Sequence, residues 1–305
     1  MKLFKTHKSY DEVLPNFLAE REIALSSRTL ISYRGKTDDF GRWLAIRELR
    51  NVSLRKISQE TISDYFIYLA KERDLDRPTC EKYFLVLRSF FRYALKHGYI
   101  DFVPFDFVTF PTKKVDKSSE VIAKDDLSSL LEHIRKVDAQ LYLACLVQYY
   151  CFIRPGTELR LMRIGDIDFK QGIIRVPMLA AKNRTTETVT MPNQLIDLCK
   201  EYKLNEADKS LYVFGKQRRP SMDALSVNMF RYRFNKIRDE LNLSKGIKFY
   251  SFKHTGASNL HNSGMPMRGL MDQLRHKKLD ATQKYVKKHI GTVNERIRDE
   301  FPSPI

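Results

Sequence analysis

Cysteine is scarce in this chain and badly spaced for chemistry. The four in 305 residues, Cys80, Cys145, Cys151 and Cys199, form no Cys-x-x-Cys pair and have no paired histidines beside them. Neither a zinc site nor a disulfide framework matches that pattern, so no metal ligand is assigned. Cys145 and Cys151 lie in an apolar stretch and are expected in the core. Long hydrophobic runs are also missing: none approaches the ~20 residues of a membrane span. The opening Met1-Lys2-Leu3-Phe4-Lys5 has no apolar segment of signal-peptide type. Internal repeats and low-complexity segments are absent as well. A reducing, cytoplasmic setting without a membrane partner is expected.

Acidic residues are outnumbered. Lys+Arg total 54 against 37 Asp+Glu, a net charge of +17 with a pI near 9.6. Residues 1–110 hold 19 basic against 15 acidic side chains, and the remainder holds 35 against 22. Solubility alone does not require such an imbalance, and a polyanionic partner, DNA or RNA, does. A hydrophobic content of 43% and an aromatic content of 11% mark a folded protein, large enough for two domains.

Apolar residues recur at helical spacing through the first hundred positions: Val13/Leu14/Phe17/Leu18, then Leu30/Tyr33/Phe40/Leu44 after Ser26/Ser27, then Ile62/Tyr65/Phe66/Leu69. A fourth helix follows Pro78 with Phe84, Leu87, Phe91, Ala94 and Leu95, and ends near Gly98. Four helices with short connections make a small all-α domain, assigned to 1–108. Periodicity then lapses, without apolar anchors, and 109–120 reads as a charged linker. In the region 121–305, Asp125/Asp126 open a helix and Leu141–Ile153 form a buried one that Pro155-Gly156 should break. Ile167–Phe169, Ile173–Val176 and Thr188–Thr190 read as short strands with a turn at Gly172, and Tyr212–Gly215 is also strand-like. Helices are expected over Leu225–Leu241, Ser251–Ser263 and Met267–Leu274. The fold class is mainly α, with a small antiparallel sheet in the second domain (α+β).

Three places carry chemistry-bearing residues. His276 stands nine residues before Tyr285, within a run that includes Lys277, Lys278, Lys284, Lys287 and Lys288. A tyrosine ionises near pH 10, so as a nucleophile it needs a cationic setting, which these side chains supply. A half-buried aromatic is the ordinary fate of any of the 15 tyrosines. Arg154 follows the apolar helix; it either pairs with Glu158 or binds phosphate oxygens through its planar fork, and the two are compatible. Lys182, at the tip between the last two strands, is either a solvated lysine or a general acid for a departing sugar oxygen, with Arg184 its rival. Tyr250, Lys253 and His254 form a third polar cluster.

Taken together, Ile153-Arg154-Pro155-Gly156-Thr157-Glu158-Leu159, Tyr250-Ser251-Phe252-Lys253-His254-Thr255 and Leu274-Arg275-His276 with Tyr285 resemble the tyrosine recombinase (phage integrase) family. The resemblance spans essentially the whole chain. It departs from the family's pattern at three points: Tyr250-x-x-Lys253 stands for His-x-x-Arg, Leu274-Arg275-His276 stands for Leu-Gly-His, and Thr157 is an extra residue between the arginine and Glu158. Lys253 loses the bidentate fork, and Tyr250 is no proton acceptor near neutral pH.

The resemblance implies a bacterial or phage-encoded, nucleoid-associated site-specific DNA recombinase. Its N-terminal domain would be a SAM-like core-binding domain that clamps duplex DNA with the catalytic domain. Tyr285 would be the nucleophile forming a 3′-phosphotyrosyl link, with Arg154, Lys253 and His276 on the phosphate oxygens and Lys182 as general acid. Tyr250 and His254 are further catalytic candidates. Arg28, Arg77 and Lys82, near helix starts, and Arg184 are expected to touch DNA. No cofactor is expected. The family acts as a homo-tetramer on paired sites, and the stripe Val293/Ile297/Phe301 is a candidate subunit contact. Two alternatives remain: a DNA-binding relative impaired in catalysis, and a type IB topoisomerase-like nicking-rejoining enzyme.

Overall fold

A computed structural model describes residues 7–113, 119–177 and 186–283. The chain divides into two compact units, Met1–Lys117 and Ser118–Ile305.

In the first unit the four expected helices form, as α1 (Tyr10–Ala24), α2 (Ser27–Ile46), α3 (Gln59–Lys71) and α4 (Arg77–Lys96). Their starts are set by side chains that satisfy otherwise orphaned backbone N–H groups. Ser9 and Glu12 make a reciprocal capping box on α1, Ser26 caps α2 and Ser58 caps α3. Pro78 falls in the first turn of α4, where its missing N–H costs nothing. Gly98, at φ +72°, follows the end of α4 in the left-handed region. The interior is largely aromatic. Phe17 meets Phe90 edge-on at 5.4 Å, and Phe40 meets Tyr65 at 4.8 Å. The stretch expected to lack apolar anchors has one: Phe110 packs edge-on against Phe66 and Phe84. The backbone N–H of Arg77 donates to the carbonyl of Lys113, so the segment as far as Lys113 is tied to the first unit.

The second unit opens with α5 (Lys124–Val137) and the central α6 (Ala139–Cys151). Three strands, β1 (Ile167–Asp168), β2 (Ile173–Val176) and β3 (Glu187–Thr190), make an antiparallel sheet in the order β1-β2-β3, with Ile167 opposite Ile174 and Ile173 opposite Thr190. Ile174 and Val176 point inward while Arg175 points out, the alternation of a one-sided sheet. Then come α7 (Asn193–Glu201), α8 (Met229–Glu240), α9 (Ser251–Asn262), α10 (Met267–Leu274) and the short α11 (Asp280–Gln283). The whole is mainly helical with one small sheet in the second unit, as the sequence predicts. All four cysteines are buried and free, and burial raises their thiol pKa values. Among the described residues, no helix is long and apolar enough to cross a membrane.

Three expectations need correction. Tyr212–Gly215 makes only isolated bridges, to Arg163, Ser221 and Ala224, because its neighbours are loops. The helix expected from Leu225 starts at Met229. The apolar helix ends at Cys151 rather than Ile153, and Pro155-Gly156 does not break it. Phe152 turns the chain at φ +54°, and Pro155–Leu159 form one turn of π-helix.

Candidate active site

The site is built around that turn. A left-handed conformation costs a non-glycine residue about 1–2 kcal/mol, and burying a phenylalanine side chain gains about 1.5–3 kcal/mol. Phe152 is 1% exposed and packs with Ala257, Leu270 and Leu274, so burial carries the strained corner. Lys253 on α9 adds to it: its Nζ donates to the Phe152 carbonyl at 2.8 Å. Lys253, which the sequence places on a phosphate oxygen, is 1% exposed here. Close approach of the two helices makes the contact with Phe152 possible. A Cβ on Gly256 would lie 1.9 Å from the Tyr149 carbonyl oxygen of α6.

Arg154 leaves this corner two residues later. Its backbone N–H donates to Glu158 Oε2 at 2.9 Å and its Nη1 to Glu158 Oε1 at 2.6 Å. The π-turn, with its wider i→i+5 bonding, accommodates the extra residue Thr157: the Leu159 N–H reaches the Arg154 carbonyl at 2.9 Å. The pair with Glu158 weighed from sequence exists, and the Arg154 side chain still keeps 19% of its surface exposed.

The other oxygen of Glu158 takes a second guanidinium. Arg275 Nη2 donates to Oε2 at 2.6 Å, and Arg275 Nη1 lies 3.5 Å from Glu187, the first residue of β3. Arg275 is the C′ residue of α10, at φ +58°. Its N–H bonds the Asp272 carbonyl, and the N–H of His276 bonds the Met271 carbonyl, the paired bonds of a Schellman cap. Glycine is the usual occupant of such a position, which explains why the family's pattern has it there.

Burial alone would raise the Glu158 carboxyl pKa, but the charge and hydrogen bond of Arg275, with Arg154, hold it below the ordinary glutamate value. Glu158 is thus a carboxylate shared by two cations. Tyr250 stands beside them. Burial raises its hydroxyl pKa, with Arg154 pulling the other way, so it stays protonated at neutral pH. Its ring meets His254 at 5.2 Å.

His276 Nδ1 lies 2.9 Å from Oγ1 of the fully buried Thr282 of α11. One turn earlier, the Gln273 amide donates to the carbonyls of Tyr150 and Thr190 and accepts from the Thr190 N–H. This holds α10 against α6 and β3. A cavity of about 670 Å³ nearby, lined by Tyr149, Tyr150, Phe152, Leu260 and Met265 among others, has no charged lining residue.

The structure thus brings together Arg154, Tyr250, Lys253, His254 and His276. Tyr285, Lys182 and Arg184 lie outside the described residues, as does Val293/Ile297/Phe301. Arg28, Arg77 and Lys82 are exposed on the first unit; Arg77 pairs with Glu81 at 2.8 Å. Lys82 sits close enough to Lys36 to lower its pKa, though partial burial is the larger cause. Sequence reasoning missed Glu187, Gln273 and Thr282, which carry no motif, and saw Arg275 only as a departure from one.

Comparisons with known proteins converge. The model of the phage integrase family matches residues 120–290, and that of the phage integrase SAM-like domain matches 11–115. A tyrosine recombinase of Pseudothermotoga lettingae is 26% identical over 267 residues, 86% of this chain and 88% of its own. Tyrosine recombinase XerD of Pseudomonas putida is 26% identical over 290 residues, 92% of each chain. Among solved structures, the Tn1549 transposon integrase in complex with transposon right end DNA has a TM-score of 0.74 at 16% identity, covering 96% of this chain and 98% of its own. A lambda integrase tetramer bound to a Holliday junction has a TM-score of 0.75 at 16% identity, covering 95% and 81%. At such identities these two share the fold.

Proposed function

We propose that this chain, which belongs to the phage integrase family of tyrosine recombinases, cleaves and rejoins duplex DNA through a 3′-phosphotyrosyl bond on Tyr285. The observation that carries the proposal is the Arg154–Glu158–Arg275 network. It fixes a partly exposed guanidinium and, one residue on, His276, nine residues before Tyr285.

The Tyr285 oxygen attacks the scissile phosphorus as its proton passes to the His254 imidazole, and the bond to the 5′ oxygen breaks. Lys182 protonates that oxygen, giving a free 5′-hydroxyl. Arg154 and the Nε2 side of His276 stabilise the non-bridging oxygens, the electrostatic contribution that dominates phosphoryl transfer. Tyr250, protonated, donates a hydrogen bond rather than accepting a proton, and His254 beside it is the imidazole on this face. Lys253 acts on Arg154 through the Phe152 corner. A 5′-hydroxyl from a partner duplex then reverses the step and exchanges strands.

Residues 121–305 hold the chemistry. Residues 1–108 bind the core site, with Arg28, Arg77 and Lys82, and Arg184 beyond them, on phosphates; 109–120 connect the two. The working assembly is a homo-tetramer on paired sites, in which Val293/Ile297/Phe301 contact a neighbouring subunit. The Tn1549 integrase in complex with transposon right end DNA and the lambda integrase tetramer bound to a Holliday junction, which share the fold, support DNA binding, and the second supports a tetramer.

The burial of Lys253 favours one rival, a relative that binds DNA without cutting it. A duplex nicked beside the scissile phosphate separates the readings. A denaturant-resistant adduct that disappears in Tyr285→Phe is the expected result, and no adduct on a verified binding site overturns it. Exchange between two sites, rather than relaxation alone, distinguishes a recombinase from a topoisomerase-like enzyme.

A further inference from the structure

We infer that Gln273 is a positioning residue for the cleavage step: its side-chain amide fixes the end of α6, which leads to Arg154, against the end of α10, which leads to His276. The inference rests on the reading that these two side chains bind the scissile phosphate.

Gln273 is the penultimate residue of α10, three positions before His276. Tyr150 is the penultimate residue of α6, four positions before Arg154. Thr190 ends β3. One amide joins all three. Its Nε2 donates to the Thr190 carbonyl at 2.7 Å and to the Tyr150 carbonyl at 3.1 Å, and its Oε1 accepts from the Thr190 N–H at 3.1 Å. Both ends of the amide are engaged, and every partner is main chain. A side chain held wholly by backbone sets geometry.

Each bond meets a need of the element it reaches. The last carbonyls of a helix have no partner within it, and that of Tyr150 is one of them. β3 is an outer strand of the order β1-β2-β3, with Thr190 opposite Ile173. The N–H of the next residue, Met191, donates to the Gly172 carbonyl on the β2 side. Backbone groups alternate in direction along a strand, so those of Thr190 face away from β2. The Gln273 amide pairs with both, as a further strand would. The Thr190 carbonyl also lies 3.5 Å from the Cys151 thiol, so α6 meets β3 at two adjoining residues.

Two charged side chains act at the same corner. Lys253 holds the Phe152 carbonyl, and Arg275 reaches Glu158 and Glu187; both lysine and arginine have further contacts as well. Replacing either one changes the field at the site along with its shape. Gln273 is neutral, so its replacement leaves the number of charges unchanged and acts through position alone. Its bonds lie about one helical turn from each phosphate-binding side chain. Releasing them lets the two ends drift apart, and a displacement of about 1 Å costs about 100-fold in rate.

Gln273→Met is the direct test, since methionine is unbranched, fills irregular space and lacks the amide. With the full chain and the nicked duplex, adduct formation should slow about 100-fold, while duplex affinity falls by no more than about threefold, because the remaining phosphate contacts are intact. A second readout isolates the scissile phosphate. In Tyr285→Phe protein, which lacks the nucleophile, replacing that phosphate by an uncharged methylphosphonate should weaken binding about tenfold. With Gln273→Met added, the preference for the charged linkage should shrink to about threefold. Partial unfolding lowers binding of both duplexes equally and leaves the preference unchanged. Should Gln273→Met melt below the assay temperature, Gln273→Asn keeps the amide on a shorter side chain and should slow adduct formation about tenfold. A wild-type adduct rate or an unchanged preference overturns the inference. If wild-type protein binds the duplex and forms no adduct, the cleavage reading falls, and the change in preference alone decides the role of Gln273. No preference in Tyr285→Phe itself removes Arg154 and His276 from the phosphate and overturns both.

Discussion

Among the described residues, Asp39 in the first unit and Glu158 in the second are buried carboxylates that each accept hydrogen bonds from two arginines, and the two are not equivalent. In the first unit Asp39 takes Arg42 and Arg73, both at 3.0 Å, and the Tyr65 hydroxyl. Those arginine side chains are 65% and 41% exposed. In the second unit Glu158 takes Arg154 and Arg275, which are 19% and 2% exposed. Water screens the first arrangement and cannot screen the second. The same three charges therefore serve as a surface staple in one place and as a fixed local field in the other. A field of that kind is what phosphoryl transfer requires.

Substitutions that remove each carboxylate should separate the two most widely. Glu158→Gln strands two desolvated guanidinium groups and should cost about 3–5 kcal/mol in denaturant unfolding, with loss of DNA cleavage. Asp39→Asn leaves its arginines solvated and should cost about 1–2 kcal/mol, with cleavage retained by the folded fraction. Equal costs would mean that the difference in exposure carries no energetic weight.

Glycines sharpen the contrast at the level of packing. Gly256→Ala forces a methyl into the Tyr149 carbonyl and should destabilise the second unit by about 3 kcal/mol. At Gly35 in α2 an added Cβ meets nothing within 4 Å, so Gly35→Ala should stabilise by about 0.5–1 kcal/mol. Thermal melts of the two variants, read against wild type, check both signs.

Acid titration gives a smaller effect. The Glu158 carboxyl is held below its ordinary value near 4.5 by Arg275 and Arg154, against the opposing effect of burial. A lowered folded-state pKa contributes stability that is fully present above the unfolded value and lost as pH falls through the folded one. Wild-type stability should therefore decline below about pH 4.5. Asp39 is lowered too, by Arg73, Tyr65 and Arg42 against burial, so it adds a contribution of the same sign. Glu158→Gln should flatten the acid limb more than Asp39→Asn does, as measured by urea midpoints across pH 3–6.

Much of this was legible from residues alone. Leu30, Phe40 and Leu44 announced α2 by spacing, and Ser26 marked its start. Ile174 and Val176 announced a strand, and Arg154 stood out as a charge after an apolar run. What stayed hidden was set by tertiary contact. Nothing local requires Phe152 to turn left-handed; the pocket formed by Ala257, Leu270 and Leu274, with Lys253 on its carbonyl, does so. Phe110 looked like a linker residue because the rings it joins are 44 and 26 positions away. Glu187 and Gln273 belong to no motif, and only the fold brings them to Arg275 and Thr190.

The central claim is that Tyr285 carries the DNA. Incubating the protein with a duplex nicked beside the cleavage point, digesting the trapped complex and sequencing the nucleotide-bearing peptide by mass spectrometry tests it most directly. A 3′-phosphate ester on Tyr285 is the predicted result. Attachment to any other residue, attachment through the 5′ end, or a bound duplex with no covalent product would contradict it.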